Sequence, residues 1–131
     1  MKIYSKLKTF RQKFGTIVLV EETLKVSDYM YCMIEIAFDN LDEVKQTISK
    51  LLNEKLVASC QMIESNSKWN WKQEQEESKE YLVFMKTKKS LQKKIYEIIK
   101  EIHSYDCFEF AVFDLTSCNQ DYLNWIEEET I

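Results

Sequence analysis

Apolar positions recur along this chain with two different periods, and the switches between them mark out its elements. Met30 to Phe38 (MYCMIEIAF) is near-continuously apolar and predicts a buried strand, in which Glu35 needs a partner or an exposed face. Asp39-Asn40 supplies turn and N-cap chemistry. Leu41, Val44, Ile48, Leu51 and Leu52 then share one helical face, with Asp42, Glu43, Lys45, Lys50 and Asn53 on the other. Two runs of β-type residues follow, Leu56 to Ile63 and Tyr81 to Thr87. They read as the arms of a long ribbon around a polar, glutamate-rich span that carries Trp69 and Trp71. Ser90 is the expected N-cap of a second helix, whose stripe is Leu91, Ile95, Ile98, Ile99 and Ile102. A last strand is expected over Cys107 to Leu115, and a short amphipathic helix over Ser117 to Glu128.

The order strand, helix, strand, strand, helix, strand is the split βαβ, or ferredoxin-like, arrangement of an α+β protein. Helices on one face of a four-stranded antiparallel sheet leave the other face bare. Both faces of the ribbon arms are partly apolar, so a partner subunit is the simplest cover for what the helices leave open.

The first 29 residues stand apart. Ile3, Leu7, Phe10 and Phe14 fall at helical spacing among Lys2, Lys6, Lys8, Arg11 and Lys13, which predicts a short basic amphipathic helix over 1–14. A membrane-surface anchor or a presequence would look like this, but one arginine and few hydroxyl residues favour an appended helix or tail. Residues 1–29 are therefore read as an extension and 30–131 as the domain.

Charge sharpens the division. Residues 1–29 carry a net +3 and 30–131 a net −7, which sum to the chain's −4. An acidic domain argues against nucleic acid as a partner. With 45% hydrophobic and 31% charged residues the whole chain is ordinary globular material, and no stretch of 30–131 has the length of a membrane span. There is no proline and one glycine, so tight turns with positive φ are expected to fall on Asn or Asp, or to be avoided. The four cysteines have no metal-type spacing, and with no secretory signal they point to free thiols in the cytoplasm.

The residues that could carry chemistry are few. His103 is the only histidine. As a metal ligand it would take Cys60 or Cys107 as a soft co-ligand for copper; as a structural residue it would be hydrogen-bonded at a helix C-terminus. A Cys–His nucleophilic pair lacks the sequence context of a thiol enzyme. Glu74, Glu76, Glu77, Glu80, Asp106 and Glu109 form an acidic set, read first as a solvated edge and second as a cation-attracting rim. Trp69, Trp71, Tyr105 and Trp125 read as subunit-interface anchors. No phosphate-binding loop is present, and no organic cofactor is expected.

Five short motifs then coincide in order: Ala58-Ser59-Cys60; Ser67-Lys68-Trp69-Asn70-Trp71; Met85 to Leu91 (MKTKKSL); His103-Ser104-Tyr105-Asp106 with Glu109; and Asn119 to Ile126 (NQDYLNWI). Together they resemble the CutA divalent-cation tolerance family over residues 30–131. The resemblance implies a homotrimer of ferredoxin-like subunits, similar in architecture to the PII signalling proteins. It implies binding of copper or other divalent ions without catalysis, with His103 at the family's motif histidine. The loops depart from the family pattern. His-Pro-Tyr-Glu becomes His103-Ser104-Tyr105-Asp106, a following proline becomes Phe108, and the Gly-Lys of the ribbon tip becomes Gln73-Glu74. The rival expectation is a PII-like signalling module that senses a small metabolite and acts on a protein partner.

Overall fold

A computed structural model describes residues 7–11, 17–21 and 30–131. Its strands are β1 (Leu7–Arg11), β2 (Ile17–Glu21), β3 (Tyr31–Phe38), β4 (Ser59–Trp71), β5 (Glu74–Lys88) and β6 (Phe110–Asp114). Its helices are α1 (Leu41–Asn53), α2 (Gln92–Ile102) and α3 (Gln120–Glu129), with a 3-10 turn over Lys89–Leu91 leading into α2. β1 and β2 pair as a separate two-stranded sheet. The other four strands form one antiparallel sheet in the order β4-β5-β3-β6, the ferredoxin-like topology expected from the sequence.

The expected N-terminal helix is corrected where it overlaps the described residues: Leu7–Arg11 is a strand paired with Ile17–Glu21. The run Ile17-Val18-Leu19-Val20 is rich in β-branched residues, and a strand partner overrides the weak helical preference of Leu7–Arg11. The remainder of that helical expectation lies outside the described residues.

The core lies between the helices and one face of the sheet. Cys32, Ile34, Ile36 and Phe38 of β3 meet Val83 and Met85 of β5, Val44 and Leu51 of α1, and Ile95 and Ile99 of α2, all essentially closed to solvent. Asn40 caps α1 as expected, its Oδ1 accepting the Glu43 N–H at 3.1 Å. Ser90 does not cap α2: it sits inside the 3-10 turn, and Leu91 takes the cap position with no side-chain bond. The tighter i→i+3 bonding of that turn satisfies orphan groups that a cap would otherwise take. A smaller apolar cluster (Tyr31, Leu123 and Ile126) seats α3 against the start of β3. There the Tyr31 hydroxyl donates to Glu127 at 2.6 Å, and Lys88 Nζ pairs with Glu127 at 3.3 Å.

The ribbon is longer than the apolar arms suggested. β4 and β5 stay paired from Ser59↔Lys86 out to Trp71↔Glu74, so the glutamate-rich span is strand rather than loop. Pairing with β3 ends at Phe38↔Tyr81. The two strands therefore overhang the sheet by on the order of 20 Å. Cross-strand charge pairs, Lys79–Glu64 at 3.0 Å and Lys68–Glu77 at 4.0 Å, line one side of the overhang.

The turns also correct the sequence reading. Among the described residues positive φ falls on Lys55 (55°), Lys72 (48°) and Gln73 (69°), not on Asn or Asp. Lys55 follows α1 in a Schellman motif: Leu56 N–H donates to Leu51 O at 2.9 Å and Lys55 N–H to Leu52 O at 3.1 Å. Buried Leu56 and Leu51 close that motif with an apolar contact, which offsets the backbone cost. Lys72 and Gln73 make the two-residue ribbon turn, where both central residues of the favoured hairpin type need positive φ. Gln73→Gly removes a left-handed penalty of about 1 kcal/mol per residue. Net of the extra chain entropy of glycine, it is expected to stabilise the ribbon tip by about 0.5 kcal/mol. Slower hydrogen exchange of the Glu74 and Glu76 amides, which face Trp71 and Trp69 across the ribbon, would register this; unchanged or faster exchange would show that the turn is not strained by Gln73.

Candidate functional site

Strand register assigns every sheet residue to a face. The helix-covered face carries Cys32, Ile34, Ile36 and Phe38, opposite Thr87, Met85, Val83 and Tyr81. The other face carries Met33, Glu35 and Ala37 of β3, Leu82, Phe84 and Lys86 of β5, Ile63 of β4, and Ala111 and Phe113 of β6. α3 covers only its Tyr31 end. Ile63 is 52% exposed and Phe113 47%. By the same alternation Trp69 and Trp71 extend this face along the overhang, opposite Glu76 and Glu74. Trp69 is half-buried, while Trp71 is exposed with Lys72 Nζ 5.5 Å from its ring centre. Trp125 lies on α3, exposed and tilted against Tyr122 at 5.5 Å.

An acidic group sits on the bare face. Ala37 is its centre: Glu35 precedes it by two residues, Leu82 pairs with it, and Glu80 lies two residues from Leu82. Glu109 flanks β6 one residue before Phe110, the partner of Ile36. Glu80 is buried and its Oε2 accepts the Tyr105 hydroxyl at 3.0 Å. Burial, then the charges of Glu35 and Glu80, push the Glu109 carboxyl above the usual carboxylate range. An acid whose folded pKa is raised favours folding at low pH and loses that contribution as pH rises. Glu109→Gln is therefore expected to raise the denaturation midpoint at pH 8 and to leave it nearly unchanged at pH 4. An equal shift at both pH values would mean that charge is not the cause. The sequence reading placed Glu80 and Glu109 on a solvated edge. Glu80 shares the bare face with Leu82 and Phe84 and is buried where the Tyr105 hydroxyl bonds it, a contact the expected arm, starting at Tyr81, did not reach.

The expected metal pair is placed apart. His103 ends α2 and is 8% exposed. Its Nε2 donates to Ala37 O at 2.7 Å, and its Nδ1 accepts the Tyr105 N–H at 3.1 Å. The ring stacks on Phe38 at 4.4 Å and Phe108 at 4.7 Å, with Tyr105 tilted against it at 4.8 Å. Cys60 lies opposite Met85, in the row of Ile34, three residues along β3 from Ala37 and two strands away. That separation is on the order of 10 Å or more in strand and sheet spacings. Burial pushes the Cys60 thiol up to about 12, against a smaller lowering by Lys86, so it is protonated at neutral pH. Cys107 is exposed. Among the described residues no three His, Cys, Asp or Glu side chains converge as a metal site. The donor set expected from the sequence, His103 with Cys60, does not fit a metal ion within one chain.

No helix among the described residues is long and apolar enough to cross a membrane. The sequence model of the CutA1 divalent ion tolerance protein family matches residues 32–129. A divalent-cation tolerance protein CutA from Pyrococcus horikoshii is 33% identical over 93 residues, which are 71% of this chain and 91% of that protein. Its counterpart from Thermus thermophilus is 33% identical over 91 residues, 68% of this chain and 88% of that protein. The crystal structure of CutA1 from Pyrococcus horikoshii superposes with a TM-score of 0.72 at 30% identity, covering 76% of this chain and 98% of that one. Fold and extent agree, and the β1–β2 hairpin lies outside the matched residues. The chain belongs to the CutA1 divalent ion tolerance protein family.

Proposed function

We propose that this protein serves divalent-cation tolerance as a non-catalytic cytoplasmic homotrimer, with Cu(II) or another divalent ion as its ligand. The observation that carries the assembly is the bare sheet face. Met33, Leu82, Phe84, Ala111, Ile63 and Phe113 lie on one side, and Trp69 and Trp71 continue it along the ribbon. Apolar surface of this kind, rimmed by polar residues, marks a protein contact. Trp69, Trp71 and Trp125 are its aromatic anchors, and Tyr105 stiffens its edge through Glu80. Residues 30–131 form the assembling unit, and the N-terminal segment is an addition to it. Four unpaired thiols support a reducing compartment. The occupied nitrogens of His103 support a role other than thiol catalysis, because neither Cys60 nor Cys107 has a free imidazole as a base.

The ion reading rests on the divalent-cation tolerance named for the relatives. Native mass spectrometry with and without stoichiometric Cu(II) tests both halves. The expected species is three chains of 15.8 kDa that take up copper. A trimer indifferent to copper and to zinc would remove the ion binding and leave the assembly. A monomer at low micromolar concentration would overturn the assembly.

A further inference from the structure

Both partners of the His103 ring are backbone groups whose polarity is fixed. Ala37 O can only accept, so Nε2 must carry a hydrogen; Tyr105 N–H can only donate, so Nδ1 must offer its lone pair. The contacts thus select one neutral tautomer and leave neither nitrogen a free lone pair for a metal ion. They also join three parts of the fold: the C-terminus of α2, the end of β3 at Ala37, and the loop toward β6. Phe38 and Phe108 close the two faces of the ring at interplanar angles of 11° and 14°. The bond to Tyr105 N–H holds that residue where its hydroxyl reaches Glu80, at the root of the ribbon.

We infer that His103 is the clasp of the α2–β6 loop, fixed as the neutral Nε2–H tautomer, and that a divalent ion taken up by this protein is held without it. It is a positioning residue: it sets the Tyr105–Glu80 contact on the bare sheet face. The clasp stands on the geometry alone, and only the clause about the ion rests on the function proposed above.

The test uses the full chain labelled with ¹⁵N at neutral pH. With one histidine in the sequence, its ring nitrogens need no further assignment. Long-range ¹H–¹⁵N correlation is expected to give the pattern of a neutral ring protonated at Nε2; the Nδ1–H pattern or that of a charged ring would overturn the clasp. Stoichiometric Zn(II), a diamagnetic probe, is expected to leave the ring pattern in place, and a shift to a metal-bound nitrogen would overturn the exclusion of His103. His103→Phe keeps an aromatic ring between Phe38 and Phe108 but deletes both hydrogen bonds. It is expected to speed exchange of the Tyr105 amide by about tenfold, as loss of its part-buried hydrogen bond implies. Unchanged protection would reduce His103 to packing. His103→Gln, which keeps a donor for Ala37 O, is expected to match the wild type in copper uptake by native mass spectrometry, and selective loss of uptake would overturn the proposal. If the wild type binds neither ion, the divalent-ion function fails, while the tautomer and the Tyr105 exchange still decide the clasp.

Discussion

Placing aspartate at both Ile63 and Phe113 is expected to leave the subunit folded and to abolish its self-association. In a single chain both side chains are already about half exposed, so the substitutions touch little of the core. Surface changes of this kind usually move stability by about 0.5 kcal/mol or less. In the proposed assembly the same positions would be covered. Ile63 lies on β4 and Phe113 on β6, the two edge strands, so together they span the full width of the bare face. Burying a carboxylate there without a partner costs several kcal/mol per ion, and each interface would meet it. A loss of that size is about a thousandfold or more in the association constant. Sedimentation velocity at low micromolar concentration should find one slow species where the parent protein gives one fast species, with the same far-ultraviolet dichroism. A double variant that still sediments with the parent would place the subunit contact on another surface.

Ile36→Ala is expected to have the largest effect on the fold itself. Ile36 is fully buried in the central strand, paired with Val83 on one side and Phe110 on the other, under the α1–α2 layer. Truncating a large aliphatic side chain in such a place costs about 2–5 kcal/mol, through lost transfer energy and the cavity left behind. Against a typical domain stability of about 5–15 kcal/mol, that is a large fraction. The denaturant midpoint should fall accordingly, measured at one protein concentration because the proposed assembly would add a mass-action term. A loss below about 1 kcal/mol would mean that the α1–α2 layer collapses onto the vacated volume.

Much of this architecture is written in local pattern. The period of 3.6 in Leu41–Leu52 and Leu91–Ile102, the near-continuous apolar run of β3 and the Asn40 cap each carry their own physical signal, and each forms as expected. What the pattern missed depends on partners. Ser67, Asn70 and Gln75 have no intrinsic preference for a strand, yet they are held in register by neighbours across the ribbon. Leu7–Arg11 has a helical spacing that pairing overrides. The site was less legible for the same reason. The helix-end position of His103 is a local property, but its bond to Ala37 O spans 66 residues and its stacking on Phe38 spans 65. The contact between Glu80 and Tyr105 likewise needs the sheet to exist first. The only histidine with a soft cysteine suggested co-ligands; the bond of His103 to Ala37 O and the register of Cys60 opposite Met85 put them in different rows.

The strand order also constrains how the chain can be made. β3 is an interior strand and the earliest of the four-stranded sheet to leave the ribosome, yet both of its neighbours lie far downstream. Its partner β5 is complete only at Lys88, and β6 only at Asp114. At a synthesis rate of about 5–20 residues per second, β3 waits several seconds with two bare apolar edges. The β4–β5 ribbon pairs across a two-residue turn and can zip on its own, so it is the natural first piece of the sheet to form. Sheet closure then depends on β5 reaching back to a strand synthesised some fifty residues earlier, and it is in this interval that the nascent chain is most exposed to chaperones and to premature pairing with other copies.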